Sequence, residues 1–301
     1  MKTGASTGLL SWRHVSVLSR RVLKPRPALD GIALGIVVIV ILTSIFGPMI
    51  APSSAFDTDI GNAFDPPSWV HWFGTDDQGR DVFWRVILGT RVSVGSALLI
   101  VVGYAFIAVL VATVASLGGR FIDSFLMGFC DVALAVPPMV AALGLAAALG
   151  PSLQSGIIAM ILAGWTISAR FLRVIMRQTM EMPFVNGAKV LGVSRTRLMT
   201  RHVLPHSLDN LIVKWAADIG TTIVALAALS FIGVGAQPPS PEWGAMIANS
   251  QGYMATAWWT VTMPGLALVI TAAAFGLLGD MLASRHEPSR GIMPTFNESM
   301  A

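Results

Sequence analysis

The sequence predicts an all-α membrane protein with about six transmembrane helices, and two observations lead to that fold class. The 301 residues are 54% hydrophobic and only 12% charged, whereas soluble domains average roughly 25% charged residues. Uncharged runs recur along the chain, and several are long enough to cross the hydrocarbon core of a bilayer as helices. The composition therefore excludes an ordinary soluble globular protein.

The uncharged runs define one membrane domain, residues 31–283, between a basic N-terminal tail, residues 1–30, and a C-terminal tail, residues 284–301. Six helices are predicted within it, at 31–50, 92–119, 129–149, 156–176, 208–233 and 259–282. Residues 9–23 of the N-terminal tail have an apolar side broken by arginines. An interfacial amphipathic helix and a disordered basic tail are both compatible with that pattern.

The third predicted helix contains two adjacent prolines, Pro137 and Pro138. Proline removes a backbone donor and its ring clashes with the preceding turn, so we expect a kink or a break there. Asp123 and Asp131 are expected to flank a short connection before this helix. In a membrane helix, a proline can expose carbonyls that line a pathway, although packing against a neighbouring helix is equally common.

A polar segment, residues 51–91, separates the first two predicted helices and ends in an arginine-rich stretch. The spacing of Arg80, Arg85 and Arg91 predicts a short amphipathic helix that lies at the membrane surface. A proline-rich loop separates the fifth and sixth predicted helices. Trp243, Trp258 and Trp259, in or beside this loop, are expected at the lipid interface.

The longest charged island in the second half is Asn186 to Pro205, between two membrane runs. Phe184, Ala188 and Leu191 recur at helical spacing, and Gly192 is suited to end that helix in a left-handed conformation. Ser194 is then placed to cap a second short helix that runs to about residue 202. We therefore expect two short helices that cross at a glycine beside the membrane. Ser207 is expected to cap the fifth membrane helix after them.

This charged island resembles the coupling loop of bacterial ABC importer permeases, whose pattern is Glu-Ala-Ala, three residues, Gly, and later a hydrophobic-Leu-Pro. Ala188, Gly192 and the end at Leu204-Pro205 fit, whereas Asn186 and Gly187 replace the usual acidic residue and the first alanine. Two further motifs resemble the dipeptide, oligopeptide and nickel branch of the same permeases. They are the GTDDQGRD segment with its following arginines and serine, residues 74–93, and the ALSFIGVGAQPPSPEWG segment, residues 228–244.

The resemblance implies a type I ABC importer permease fold and a coupling loop at residues 183–206. It implies that the loop contacts a cytoplasmic ATPase through Asn186, Gly187, Ala188, Lys189, Leu191, Gly192, Val193, Arg195 and Arg197. It also implies an outer-face motif made by Gly74, Thr75, Asp76, Gly79, Arg80, Asp81, Arg85 and Arg91. The expected partners are a second permease subunit in a heterodimer, one or two ABC ATPases that bind ATP and Mg²⁺, an extracytoplasmic solute-binding protein and membrane lipid.

Four residues are candidates for the pathway or its gate: Pro137, Pro138, Asp218 and Ser230. Lys214 and Asp218 are four residues apart on the predicted fifth helix, so they can pair. An ionisable group at membrane depth is a functional hypothesis by default. Because Asp218 comes early in the helix, we expect a packing or gating ion pair, with a substrate ligand as the alternative.

The positive-inside rule orients the chain, since an inward N-terminus leaves only Arg80, Arg85 and Arg91 of the 20 basic residues outside. Both termini and the coupling loop are then cytoplasmic, in a bacterial inner membrane. The sequence contains no P-loop, metal-binding or serine-hydrolase motif. We therefore expect no cofactor or metal in this chain, no enzymatic activity and no nucleic-acid partner.

The main alternative is a self-sufficient secondary transporter or channel, and a membrane enzyme is a third. Secondary transporters often contain inverted repeats and paired broken helices. This sequence shows no internal repeat, and only its third predicted helix has an interior double proline. The substrate is left open, with di- and oligopeptides placed first and nickel chelates, glutathione or haem after them.

Overall fold

The computed structural model describes residues 27–286, and this part of the chain is almost entirely α-helical. The amphipathic segment expected at residues 9–23 and the C-terminal tail beyond residue 286 lie outside the described residues. In chain order the helices are α1 Pro27–Ile50, α2 Val82–Leu117, α3 Gly119–Leu134, α4 Pro138–Leu149, α5 Leu153–Met180, α6 Pro183–Val190, α7 Arg195–Leu198, α8 Leu204–Ile232, α9 Trp243–Ser250 and α10 Trp259–His286.

Five of these helices, α1, α2, α5, α8 and α10, are long and apolar enough to cross a membrane. A sixth span is formed if α3 and α4 are taken together, because the pair is apolar but bent by 83°. The prediction of an all-helical protein with about six spans is therefore confirmed.

The second membrane helix begins ten residues earlier than predicted. Asp81 is the N-cap of α2, and its side chain accepts a hydrogen bond from the backbone N–H of Trp84 at 3.2 Å. No glycine or proline interrupts the following turns strongly enough to end the helix, so residues 82–91 belong to α2. The separate surface helix predicted for this stretch is therefore wrong. At 36 residues, α2 is about 54 Å long and exceeds the ~30 Å hydrocarbon core.

The third predicted helix is a broken element whose first half starts well before residue 129. Asp123 and Asp131, expected to flank a connection, both lie inside α3. Helix α3 ends before Pro137, and Pro138 is the first residue of α4. Proline is favourable at this position because a backbone N–H in the first turn would have no partner within the helix. The break expected at the double proline is thus present. Neither half alone is long enough to cross the bilayer.

The fifth membrane helix is continuous with the charged island that precedes it. Met199–Val203 forms a π-helical turn, in which the N–H of Leu204 donates to the carbonyl of Met199. Such a wide turn fits Pro205, whose ring would crowd a carbonyl in a regular α-helix. Ser207 is buried within this continuous helix and donates to the Val203 carbonyl at 2.7 Å. It does not act as the N-cap that the sequence predicted.

The helices α8 and α10 approach each other closely because small residues line their contact. A Cβ atom added to Gly279 of α10 would lie 2.4 Å from the Cβ of Ala217, and one added to Gly220 of α8 would lie 2.4 Å from the Ala272 carbonyl oxygen. Small residues at helix contacts let backbones pack tightly in membranes. This contact holds α8 in place along its middle third.

Substituting valine at Gly279 is expected to push α8 and α10 apart and lower the melting temperature of the detergent-solubilised protein. Overpacking of this kind costs ~1–3 kcal/mol. Gly276→Val, on the same helix, is the matched control because nothing lies within 4 Å of an added Cβ there. Equal melting temperatures for the two variants would contradict the close α8–α10 contact.

Candidate functional site

The coupling loop, residues 183–206, folds as the sequence predicted at its central glycine. Gly192 has a φ of +76°, and its N–H donates to Lys189 O at 3.0 Å while the N–H of Val193 donates to Ala188 O at 3.1 Å. These two bonds form a Schellman motif that ends α6. The Ser194 hydroxyl then accepts from the Arg197 N–H at 3.4 Å and begins α7. A residue other than glycine would be strained at position 192.

The loop is anchored to the ends of three membrane helices. Val185 is fully buried and packs in a cluster with Leu172 and Met176 of α5 and with Leu211 of α8. Arg195 reaches back to α2, where its guanidinium donates to the Ser116 carbonyl at 2.8 Å. That carbonyl lies in the last turn of α2, which has no intrahelical donor for it. The loop is therefore fastened to α2, α5 and α8 together.

The tip of the coupling loop carries apolar side chains that the described chain does not cover. Val190 is 88% exposed and Leu191 is 84% exposed. Lys189, one residue earlier, turns away from the tip, since its ammonium donates to the Met180 carbonyl at 3.0 Å and to the Asn186 side chain at 3.1 Å. Asn186 in turn donates to the Glu181 carbonyl at 3.2 Å. Adjacent exposed apolar residues on a fastened loop are typical of a protein contact surface.

At the opposite end of the helices, the two other motifs meet in one buried network, which we call the outer seam (Asp76, Arg80, Arg85, Ser93, Pro239, Glu242 and Trp243). Asp76 accepts from Arg80 Nε at 2.8 Å, and Arg85 Nε lies 3.4 Å from the same carboxylate. The Arg85 guanidinium also donates to the Pro239 carbonyl at 3.1 Å and to the Ala55 carbonyl at 3.3 Å. Arg85 thereby joins the segment before α2 to the loop after α8.

Glu242 completes the outer seam from the other motif. It is fully buried, and its carboxylate caps α9 by accepting from the N–H groups of Gly244 at 3.0 Å and Ala245 at 2.9 Å. The Ser93 hydroxyl donates to the same carboxylate at 3.2 Å, and the indole of Trp243 donates to the Val86 carbonyl at 3.0 Å. Buried carboxylates of this kind are stable only with several donors.

The burial of the outer seam changes two expectations from the sequence. Trp243 and Trp259, expected at the lipid interface, are both buried, and the Trp259 indole donates to the Thr75 carbonyl at 3.0 Å. Only Trp258 of the three is largely exposed. Within the predicted outer-face motif, Thr75, Asp76, Arg80, Asp81 and Arg85 are buried, and Gly74 and Gly79 form turns with positive φ. Arg91 alone is exposed and has no polar partner among residues 27–286.

At the same end of the helices as the coupling loop, an ion-pair cluster joins the broken element to α5. Asp123 of α3 accepts from Arg173 Nε at 2.5 Å and from Arg177 Nη2 at 2.6 Å. Asp131 and Arg170 form a second, more exposed pair at 2.5 Å. The three arginines are three and four residues apart in the sequence, which places them on one helix face but does not identify their partners. The signal that could have identified a partner was Asp123, an aspartate expected at the same membrane depth as the arginines.

Between α2, α4, α5 and α8 lies a cavity of about 240 Å³, which we call the polar cavity. Its walls are mainly apolar, and its polar groups come from Tyr104, Ser168, Lys214, Asp218, Thr221 and Thr222. Lys214 donates to Asp218, and the Tyr104 hydroxyl donates to the same oxygen of Asp218 at 2.8 Å. The predicted Lys214–Asp218 pair is therefore present. Tyr104 was not singled out, although it is one of only two tyrosines and lies in an uncharged run.

The four pathway or gate candidates do not all meet at this cavity. Pro138 and Asp218 line it. Ser230 is buried near the end of α8, where its hydroxyl accepts from the Ala236 N–H at 3.1 Å and holds the turn into the outer seam. Pro137 is exposed at the α3–α4 break and is not among the lining residues.

These features together define a class of protein: a multi-span membrane component with a fastened loop at one end, a sealed network at the other and a polar cavity between. Residues 105–291 match the family described as binding-protein-dependent transport system inner membrane component. The chain belongs to that family, and it is therefore a permease component of a bacterial inner-membrane transport system.

Similar proteins support the assignment along most of the chain. The chain is 38% identical to a probable D,D-dipeptide transport system permease protein of Escherichia coli K12, over 85% of this chain and 86% of that protein. It is 35% identical to a dipeptide transport system permease protein of Alkalihalophilus pseudofirmus, over 94% and 91% of the two chains. A glutathione transport system permease protein of Escherichia coli O6:K15:H31 is 36% identical over 84% of each chain.

Replacing Arg85 by glutamine is expected to destabilise the outer seam. Loss of one partner from a buried ion pair costs ~3–5 kcal/mol, so the melting temperature of the purified protein in detergent should fall clearly. Arg91→Gln, two turns further along α2, should leave that temperature nearly unchanged because Arg91 is exposed and unpaired within the described chain. Equal effects of the two variants would show that Arg85 does not hold the seam together.

Proposed function

We propose that this chain is one half of a heterodimeric permease that imports di- or oligopeptides with energy from partner ATPases. The second half of the pathway is another permease subunit. ATP and Mg²⁺ are bound by one or two cytoplasmic ABC ATPases, and an extracytoplasmic solute-binding protein delivers the substrate. This chain needs no cofactor of its own for that role.

The exposed apolar tip of the coupling loop is the observation that carries the proposal. Val190 and Leu191 are uncovered in the single chain, yet the loop behind them is fastened to α2, α5 and α8. A surface of this kind transmits movement from a partner into the helices that line the polar cavity. The loop must contact the ATPase differently in its two nucleotide states, because only a differential contact can shift a conformational equilibrium.

The charge distribution supports a cytoplasmic position for the loop and both termini. The arginines of α5 and of the coupling loop lie at one end of the helices, whereas Arg80 and Arg85 lie at the other, where acids compensate them. Basic residues accumulate on the cytoplasmic side of membrane proteins. The outer surface available to a binding protein is then formed by the parts of segments 51–91 and 234–258 that the outer seam leaves exposed.

Di- and oligopeptides are placed first as substrates because relatives covering most of the chain are named for dipeptide transport. Glutathione, which is itself a peptide, is compatible with the same chemistry. The alternative of a self-sufficient secondary transporter is not favoured by membership of a family described as binding-protein-dependent.

The proposal is tested by affinity purification of the tagged chain from native membranes, followed by an ATPase assay. An ABC ATPase and a second permease are expected to co-elute. Addition of the liganded binding protein should raise ATP hydrolysis several-fold, and a tripeptide should enter proteoliposomes that contain the complex. A chain that purifies alone and transports without ATP would overturn the proposal.

The variant Leu191→Asp tests the contact surface of the coupling loop. Leu191 is 84% exposed, so the folded permease should keep its melting temperature, but a charge in an apolar protein contact should release the ATPase. Co-purified ATPase should fall about tenfold or more, as expected for a desolvated charge at an interface centre. Met254→Asp, at an apolar site on the outer side that is 56% exposed, should retain the ATPase. Full retention by Leu191→Asp would contradict the contact.

The variant Gly192→Pro tests the turn itself. Proline cannot adopt the φ of +76° and lacks the N–H that bonds to Lys189. We expect insertion into the membrane to continue while stimulated ATP hydrolysis is abolished. Gly187→Ala is the control, since an added Cβ meets nothing within 4 Å and alanine favours the helix. Retained stimulation in Gly192→Pro would contradict the role of this turn.

A further inference from the structure

We propose that the polar cavity binds the N-terminal ammonium group of a peptide in transit, with Asp218 as its acceptor. The inference rests on the proposed function and adds a substrate-contacting site to it. The sequence favoured a packing or gating role for the Lys214–Asp218 pair. The cavity beside the pair is the observation that changes this interpretation.

The Asp218 carboxylate keeps an acceptor free for a ligand. The Lys214 ammonium and the Tyr104 hydroxyl both donate to Oδ2. The other oxygen, Oδ1, has no donor among the residues that the structure describes. The side chain is 24% exposed and lines the cavity. A pair that served packing alone would be closed off by its neighbours, as Glu242 is in the outer seam.

The position of the pair within the bilayer strengthens this assignment. Lys214 and Asp218 lie inside the span Leu211–Ile232 of α8. Ionisable side chains in such spans are costly, and they mark substrate or ion pathways when they face a cavity. The pair also lies on the helix that continues into the coupling loop, so the same element carries the cavity and the surface proposed to receive the ATPase.

The volume of the cavity is sufficient for one residue of a peptide but not for a whole peptide. A volume of about 240 Å³ is slightly below the ~300–1,000 Å³ of sites that enclose a drug-sized molecule. It is suited to the first residue of a peptide, with the remainder in the open part of the pathway. The apolar walls, which include Ile100, Met139 and Met160, would receive the first side chain without sequence selectivity.

The charges in the cavity match a primary ammonium group. Lys214 neutralises Asp218 when no substrate is present, which limits the cost of an unpaired carboxylate in the membrane. An arriving ammonium can donate to Oδ1 and share the carboxylate, while Tyr104 keeps Oδ2 in place.

Uptake and ATP hydrolysis should be measured together in proteoliposomes that contain the whole transporter, with trialanine as the probe. In Asp218→Asn, trialanine uptake should fall about tenfold, the size expected for loss of a charge-assisted hydrogen bond. ATP hydrolysis stimulated by the liganded binding protein should stay within twofold of the wild type. Asp209→Asn, an exposed carboxylate on the same helix, should change neither quantity. A parallel fall of uptake and hydrolysis would indicate a gate and overturn the binding site.

Photo-cross-linking locates the bound end of the peptide. Two tripeptides with free termini are used, one with a diazirine side chain at residue 1 and the other with it at residue 3. The first should label the segments that line the cavity, 138–142 and 214–225, several-fold more than the second, and Asp218→Asn should remove the difference. Equal labelling by both probes, or labelling that Asp218→Asn does not alter, would overturn the inference.

Failure of this inference can be distinguished from failure of the proposed function. If the wild-type complex imports no peptide, the proposed function fails and the site fails with it. If the wild-type complex imports trialanine and Asp218→Asn imports it at the same rate, only the binding site is refuted.

Discussion

A single buried carboxylate holds together two segments that are 149 residues apart in the chain, since Glu242 caps α9 and accepts from Ser93 of α2. Around it, Arg85 reaches the loop after α8, and Trp243 reaches the backbone of α2. Each of these groups would be costly to bury alone, so they are stable only as a set. The placement of α2 relative to α9 and to the loop after α8 depends on that set.

The two ends of the molecule are built on different principles. The charges of the outer seam are buried and are partnered by backbone groups and by one another. At the coupling-loop end, Asp123 is buried against Arg173, whereas the Asp131–Arg170 pair is half-exposed. Exposed ion pairs contribute little stability individually. The broken element α3–α4 is therefore held to α5 by apolar clusters as well as by these charges. The polar cavity lies between the two ends.

Much of the fold could be predicted from the sequence, whereas the roles of individual charges could not. The hydrophobic runs located the membrane spans. In the coupling loop, α6 ends just before Gly192 and α7 begins after Ser194, as the preferences of glycine for helix C-termini and serine for N-caps predicted. Arg85 and Arg91 have the same local signal, yet one is buried and the other exposed, because the partner of Arg85 lies 154 residues further along. Ser207 was predicted as an N-cap because the local residue pattern does not reveal that the preceding helix continues through a π-helical turn.

The contact of the coupling loop with an ATPase and the outer-face motif were predicted by resemblance, and the structure adds what their residues contact within the chain. Tyr104 is the clearest omission, since its role depends on a carboxylate 114 residues away. Long-range pairings of this kind are set by helix packing, which periodicity alone does not specify.

The π-helical turn at Met199–Val203 sets the rotational phase of everything that follows it in α8. A π-turn accommodates one more residue than an α-turn, and each residue of an α-helix advances the side-chain direction by about 100°. The one additional residue therefore sets the direction of Lys214 and Asp218, three to four turns further along, relative to the side chains of the coupling loop. In a helix that was regular from its start, that relative direction would differ by about 100°.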